Sequence, residues 1–139
     1  MTSIVPYLLY EDCDAALDFL HRMFGFEEKL RSIAPDGKTV WHAEMTLGDA
    51  VIFIGDPGDD YKNPRRLGGE TASFYVYLDD DVDAHYERAK AAGAEITEEP
   101  ADQAYGDRRY GAKDPEGQGW FFAQKVRQME PEEWGAVTK

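Results

Sequence analysis

The sequence predicts an α+β fold made of two copies of one βαβββ module. Three observations carry that reading. Shifting the chain by 68 positions lays DAALDFLHRMFGFEEK (Asp14 to Lys29) on VDAHYERAKAAGAEIT (Val82 to Thr97), with Gly25 on Gly93 and Glu27 on Glu95. The same shift sets Phe53 on Phe121. Each copy also runs in one order: apolar strand, acidic turn, amphipathic helix, glycine stop, three strands.

In the first module, Ile4 to Tyr10 is rich in strand formers, and Asp12 or Asp14 can cap a following helix. Ala15, Ala16, Phe19, Leu20 and Met23 form one stripe at spacings of three and four, so the helix runs to about Phe24 and stops at Gly25. Strands follow at Phe26 to Ile33, Lys38 to Leu47 and Asp49 to Ile54, parted by Pro35-Asp36-Gly37 and by Gly48-Asp49. In the second module, Phe74 to Leu78 is a strand and Val82 to Ala92 a helix ended by Gly93. Glu95 to Glu98, Arg108 to Lys113 and Gly119 to Lys125 are strands, the last two joined at Asp114-Pro115-Glu116-Gly117, where proline and glycine suit a structural turn. The modules then span residues 1–56 and 72–126. Between them, 57–71 is a linker or flap within the glycine-, proline- and charge-rich stretch Asp56 to Glu70. The tail, 127–139, is mostly polar, and its Trp134 packs on the body or on a partner.

Composition limits the function classes. With 28 acidic and 15 basic side chains, the formal charge of −13 repels a phosphate backbone, so no nucleic-acid partner is expected. No apolar run approaches the roughly 20 residues of a membrane span, and a basic leader is absent from MTSIVPYLLYEDCD; a cytoplasmic location and no membrane partner follow as expectations. Cys13 is the single cysteine and reads as a packed helix-start residue rather than a nucleophile.

Strand alternation assigns faces. Phe74, Val76 and Leu78 suit the helix-packed side, which turns Ser73, Tyr75 and Tyr77 the other way. A two-residue loop at Gly48-Asp49 pairs Glu44 with Phe53, so His42, Glu44 and Thr46 share the face of Val51 and Phe53. A four-residue turn at Asp114 to Gly117 sets Tyr110 opposite Phe121 and Arg108 opposite Ala123, placing Arg108, Tyr110 and Phe121 on the inner face with Arg109, Trp120 and Phe122 outside. An odd loop would reverse that parity.

A tandem βαβββ chain with PYL in its first strand, HAE…LGD in its third and YGDR…DPEG…W at its end resembles the vicinal oxygen chelate superfamily, the glyoxalase, bleomycin resistance and dioxygenase group. It looks most like the PhnB-like and bleomycin-resistance branch. The resemblance covers Ser3 to about Val126. It implies that the strands of each module form a curled mixed sheet shaped as a cup, with helices outside and the ligand or metal within. Metal-holding relatives take His, Gln or Glu ligands from inward positions of the first and fourth strands. Those seats align here with Val5, Phe53, Ser73 and Phe121, so neither a metal nor another cofactor is expected. Family hairpins often carry a histidine where Gln118 stands. Related proteins commonly pair as two-fold dimers whose cups are shared between chains, which implies a homodimer.

The lining expected to bind a ligand is Tyr7, Phe53, Tyr75, Tyr77, Tyr110 and Phe121, with His42, Glu44 and Arg108 among them. It implies a metal-free protein that sequesters a small aromatic or cationic compound, as drug-resistance members of the superfamily do. The alternatives are a metal-free isomerase or lyase with His42 and Glu44 as a catalytic acid/base pair, and a metal-dependent glyoxalase or dioxygenase.

Overall fold

A computed structural model describes residues 1–139 as two four-stranded mixed sheets with helices, and no closed barrel. The first module holds β1 (Tyr7–Leu9), α1 (Cys13–Phe24), β2 (Glu27–Ile33), β3 (Val40–Leu47) and β4 (Ala50–Gly55), in the sheet order β1-β4-β3-β2. A short linker helix, α2 (Pro64–Leu67), precedes β5 (Ser73–Tyr77), α3 (Val82–Ala91), β6 (Glu95–Asp102), β7 (Asp107–Lys113) and β8 (Gly119–Lys125). The second sheet repeats the order as β5-β8-β7-β6, and β1 and β5 are the strands that run parallel to their neighbours. A 3-10 turn at Pro131–Trp134 sets Trp134 edge-on to Tyr105. No helix is long and apolar enough to cross a membrane.

Local chemistry explains the element ends. Asp12 accepts from the Ala15 amide at the start of α1, and Gly25 closes that helix at φ 84°. Asp81 does the same for α3 through the Ala84 amide. The strand β6 runs four residues past the expected Glu98, through Pro100; an edge position needs no amide from proline there, and the register slips beside it.

One core serves both modules. Phe24, the last residue of α1, is buried against the rings of Trp120 and Phe122 of β8. Cys13 is packed in the same core, and burial pushes its thiol up to about 12, which leaves it inert as a nucleophile. The helices clasp each other: Arg88 of α3 donates to the carbonyls of His21 and Arg22, which cap the C-terminal end of α1. Beside it His85 donates Nε2–H to the Phe24 carbonyl at 2.7 Å and accepts at Nδ1 from the Tyr110 hydroxyl at 2.5 Å.

Burial holds the His85 imidazole below the ordinary histidine range, with Arg88 adding to the shift. The folded state thus favours the neutral ring. Its contribution is complete above the ordinary value of about 6.5 and is lost as pH falls through the lowered one. We expect the urea midpoint to drop between pH 7 and 5 in the wild type and to change less in His85→Gln. Equal slopes for the two proteins would show that the ring does not couple to folding.

The linker is fastened to both modules. Asn63 caps α2 and donates to the Glu116 carboxylate, Arg65 donates to the carbonyls of Asp114 and Pro115, and Arg66 pairs with Glu11. Gly117 lies so close to this helix that a Cβ would sit 2.7 Å from the Arg65 amide nitrogen. The Asp114–Gly117 turn is thereby a structural junction. Asp114, fully buried, accepts from Tyr10 Oη, Trp120 Nε1 and the amides of Glu116 and Gln118. Glu116 accepts from the amides of Glu11 and Asp12 in the first module.

Candidate functional site

On the first sheet, alternation turns Leu8 and Tyr10 into the core and leaves Tyr7 half exposed on the opposite face. Tyr7 lies beside Phe53, and Phe53 beside Glu44, so one row crosses three strands. The two-residue loop after β3 gives the register expected from it. Three side chains then join in a chain of hydrogen bonds: Tyr7 Oη to His42 Nδ1 at 2.8 Å, and His42 Nε2 to Glu44 Oε2 at 3.0 Å. Phe53 stands edge-on to His42, with centroids 4.9 Å apart. Gly55 makes room for this arrangement, since a Cβ there would lie 2.8 Å from Tyr7 Cε1.

The second sheet departs from expectation. Its hairpin loop holds five residues, Asp114 to Gln118, and Tyr110 therefore faces Phe122 while Gly111 faces Phe121. The odd count reverses β7. Tyr110 is fully buried under α3, and Arg108 points to the helix side, paired with Asp83 and Asp102. Neither lines the cup, contrary to the sequence reading. Their seats belong to Asp107, Arg109 and Gly111.

The second concave face is consequently built around Asp107. Its carboxylate, 2% exposed, accepts from Tyr75 Oη at 2.8 Å and Tyr77 Oη at 2.7 Å. Tyr105 Oη lies 3.2 Å from Tyr75 Oη. Burial, aided by the bonds to Tyr105 and Asp107, pushes the Tyr75 phenol well up, and the bond to Asp107 raises Tyr77 to about 12. Both phenols are held as neutral donors. Arg109 stacks its guanidinium 4.5 Å over Phe121 and pairs with Glu98, while its buried Nε–H has no partner. Lys125 sits 4.6 Å over the Tyr77 ring. Asp107, Arg109, Tyr105 and Lys125 escaped the sequence reading, and an odd count for the hairpin loop was the one signal that could have found the first two.

The two faces are separate. A groove of about 660 Å³ between the modules is lined by Ile4, Val5, Val51, Tyr75, Tyr77 and Trp120 among others, and reaches none of Tyr7, His42 and Glu44. The nine residues expected to form one lining thus divide into Tyr7, His42, Glu44 and Phe53 on one face, Tyr75, Tyr77 and Phe121 on the other, and Arg108 and Tyr110 on neither. The four positions that the superfamily resemblance assigns to metal ligands hold Val5, Phe53, Ser73 and Phe121, and no three His, Cys, Asp or Glu side chains converge anywhere. This donor set does not fit a transition-metal ion.

Comparison with known proteins agrees with this architecture. The family described as the Glyoxalase/Bleomycin resistance protein/Dioxygenase superfamily matches residues 3–122. An uncharacterized protein of Mycobacterium tuberculosis is 32% identical over 136 residues, covering 94% of this chain and 79% of its own length. Among solved structures, TioX from Micromonospora sp. ML1 is 33% identical, with a TM-score of 0.72 over 93% of this chain and 100% of that one. The fosfomycin resistance protein FosX of Listeria monocytogenes shares the fold at 20% identity, with a TM-score of 0.66 over 96% of this chain and 98% of its own.

Proposed function

The chain belongs to the glyoxalase/bleomycin resistance protein/dioxygenase superfamily, and from that premise we propose that it is a metal-free binding protein that sequesters a small aromatic or cationic compound. The observation that carries this reading is the exposure of aromatic side chains on both concave faces. Tyr7 and Tyr77 are each 51% exposed and Tyr75 is 39% exposed, each beside polar groups already oriented by hydrogen bonds. A closed core would have buried these rings; an open aromatic wall with a few fixed polar atoms suits a ligand. The charge of −13 favours cationic or neutral compounds over anions.

Each face supplies only one wall. We therefore propose a homodimer in which the first face of one chain meets the second face of its partner, completing two equivalent cups. A cytoplasmic resistance role, within the PhnB-like and bleomycin-resistance branch, is the setting we assign to it. A second reading, a metal-free isomerase or lyase, draws on the 3.0 Å contact between His42 Nε2 and Glu44 Oε2, which is the geometry of an acid/base pair. The metal-dependent alternative lacks a donor set to support it.

A thermal-shift panel of basic glycopeptide and planar aromatic antibiotics tests the proposal. A ligand at 100 times its Kd is expected to stabilise the fold by about 2.7 kcal/mol, with a saturable rise in melting temperature. A broad panel with no shift would count against sequestration, and light scattering at the mass of one chain would count against the shared cups. Turnover of any bound compound that collapses in His42→Ala and Glu44→Gln would favour the enzyme instead.

A further inference from the structure

We infer that the first cup selects flat aromatic ligands bearing an O–H group, phenols above all, because the Tyr7 hydroxyl offers them an acceptor and no donor. The inference rests on the reading that this face binds a small molecule, and it names the chemistry recognised there. The hydrogen count along the chain of bonds fixes it. The Glu44 carboxylate can only accept, so His42 Nε2, 3.0 Å away, carries the ring hydrogen. A neutral imidazole has no second hydrogen, which leaves Nδ1 as a bare lone pair. The Tyr7 hydroxyl, 2.8 Å from it, must donate its one hydrogen inward.

What Tyr7 turns to the open side of the cup is therefore oxygen lone pairs. A ligand O–H pointing at them extends the series ligand, Tyr7, His42, Glu44, in which every bond runs in one direction and each polarises the next. An ether or ketone placed at the same point finds no hydrogen to accept. The ring of a phenol also suits the walls, since Phe53 and the half-exposed Tyr7 ring stand edge to face, 5.7 Å between centroids. Gly55 holds the phenol of Tyr7 in this seat, a Cβ there falling 2.9 Å from its oxygen.

Charging the imidazole reverses the polarity. With hydrogens on both nitrogens, Nδ1 donates to Tyr7, whose own hydrogen swings outward and offers the ligand a donor. The titratable groups bonded to His42 are Tyr7 of β1 and Glu44 of its own strand; β2 faces it with Ser32 and β4 with Phe53.

The test compares 2-naphthol with 2-methoxynaphthalene, which differ in the O–H alone. Binding to the full chain is followed by NMR, with the ¹⁵N shifts of the His42 ring reporting its protonation. With the ring neutral, we expect the naphthol to bind about tenfold more tightly than the ether. Tyr7→Phe should shrink that ratio to about one by weakening the naphthol, and His42→Ala, which frees the Tyr7 hydroxyl to rotate, should bring it below about threefold. Equal binding of both compounds by the wild type, or a preference that survives Tyr7→Phe, overturns the inference and leaves the binding function standing. Failure of both compounds to bind overturns it as well, and if no antibiotic in the thermal panel binds either, the binding function falls with it.

Discussion

Replacing Asp114 with alanine is expected to lower the unfolding free energy by about 3 to 5 kcal/mol. The carboxylate is fully buried and accepts four hydrogen bonds, from Tyr10 Oη at 2.7 Å, Trp120 Nε1 at 3.1 Å and the amides of Glu116 and Gln118. Alanine would leave all four donors without a partner, and each buried unsatisfied donor costs about 1 to 3 kcal/mol. Part of this is offset, because burial raises the Asp114 carboxyl above its ordinary value and removing the charge relieves that strain on solvation. The four orphaned donors outweigh the relief. Urea denaturation followed by Trp fluorescence measures the loss, and a change below about 1 kcal/mol would mean that water replaces the carboxylate at the junction.

Phe24→Ala is expected to cost about 3 to 5 kcal/mol and to do so in a single transition. The ring is fully buried where the first module meets the second, with centroids 5.6 Å from Trp120, 4.8 Å from Phe122 and 6.3 Å from His85. A cavity opened there loosens both modules at once, since its walls come from α1, α3 and β8. Calorimetric and van't Hoff enthalpies should agree in the wild type and in the variant. Two resolved transitions, one shifted and one unchanged, would show that the modules fold independently despite their common core.

Much of this architecture can be read from the chain. The shift of 68 positions aligns equivalent elements because each module needs caps and stops at the same places, and Asp12 and Gly25 occupy the ends they signal. The first cup was accessible because a two-residue loop leaves one register for β3 against β4. The second was not. The turn residues Asp114-Pro115-Glu116-Gly117 suggest four, but Gln118 is also in the loop, its carbonyl accepting from the Asp114 amide. That single residue exchanges Arg108 and Tyr110 for Arg109 and Gly111. The bonds that fasten the linker were equally hidden, since Asp114 and Glu116 are ordinary turn residues until Tyr10, Asn63 and Glu11 arrive from distant positions. The Tyr7–His42 contact depends on Gly55 of the neighbouring β4, whose missing Cβ leaves room for the Tyr7 ring, a close approach that no pattern within β3 signals.

The outer strands have a consequence for how the protein behaves when concentrated. Both β2 and β6 lie at the margin of a sheet with free backbone groups, the sites where β-rich proteins stick together into fibrils. The solvent-facing sequence EEKLRSI on one margin, and EITEEPAD with its proline and slipped register on the other, give an incoming strand charge to repel it and a broken ladder to match. The remaining margins, β1 and β5, are short runs of three and five residues. Polymerisation by strand addition is thus blocked on two sides by charge and limited on the others by length.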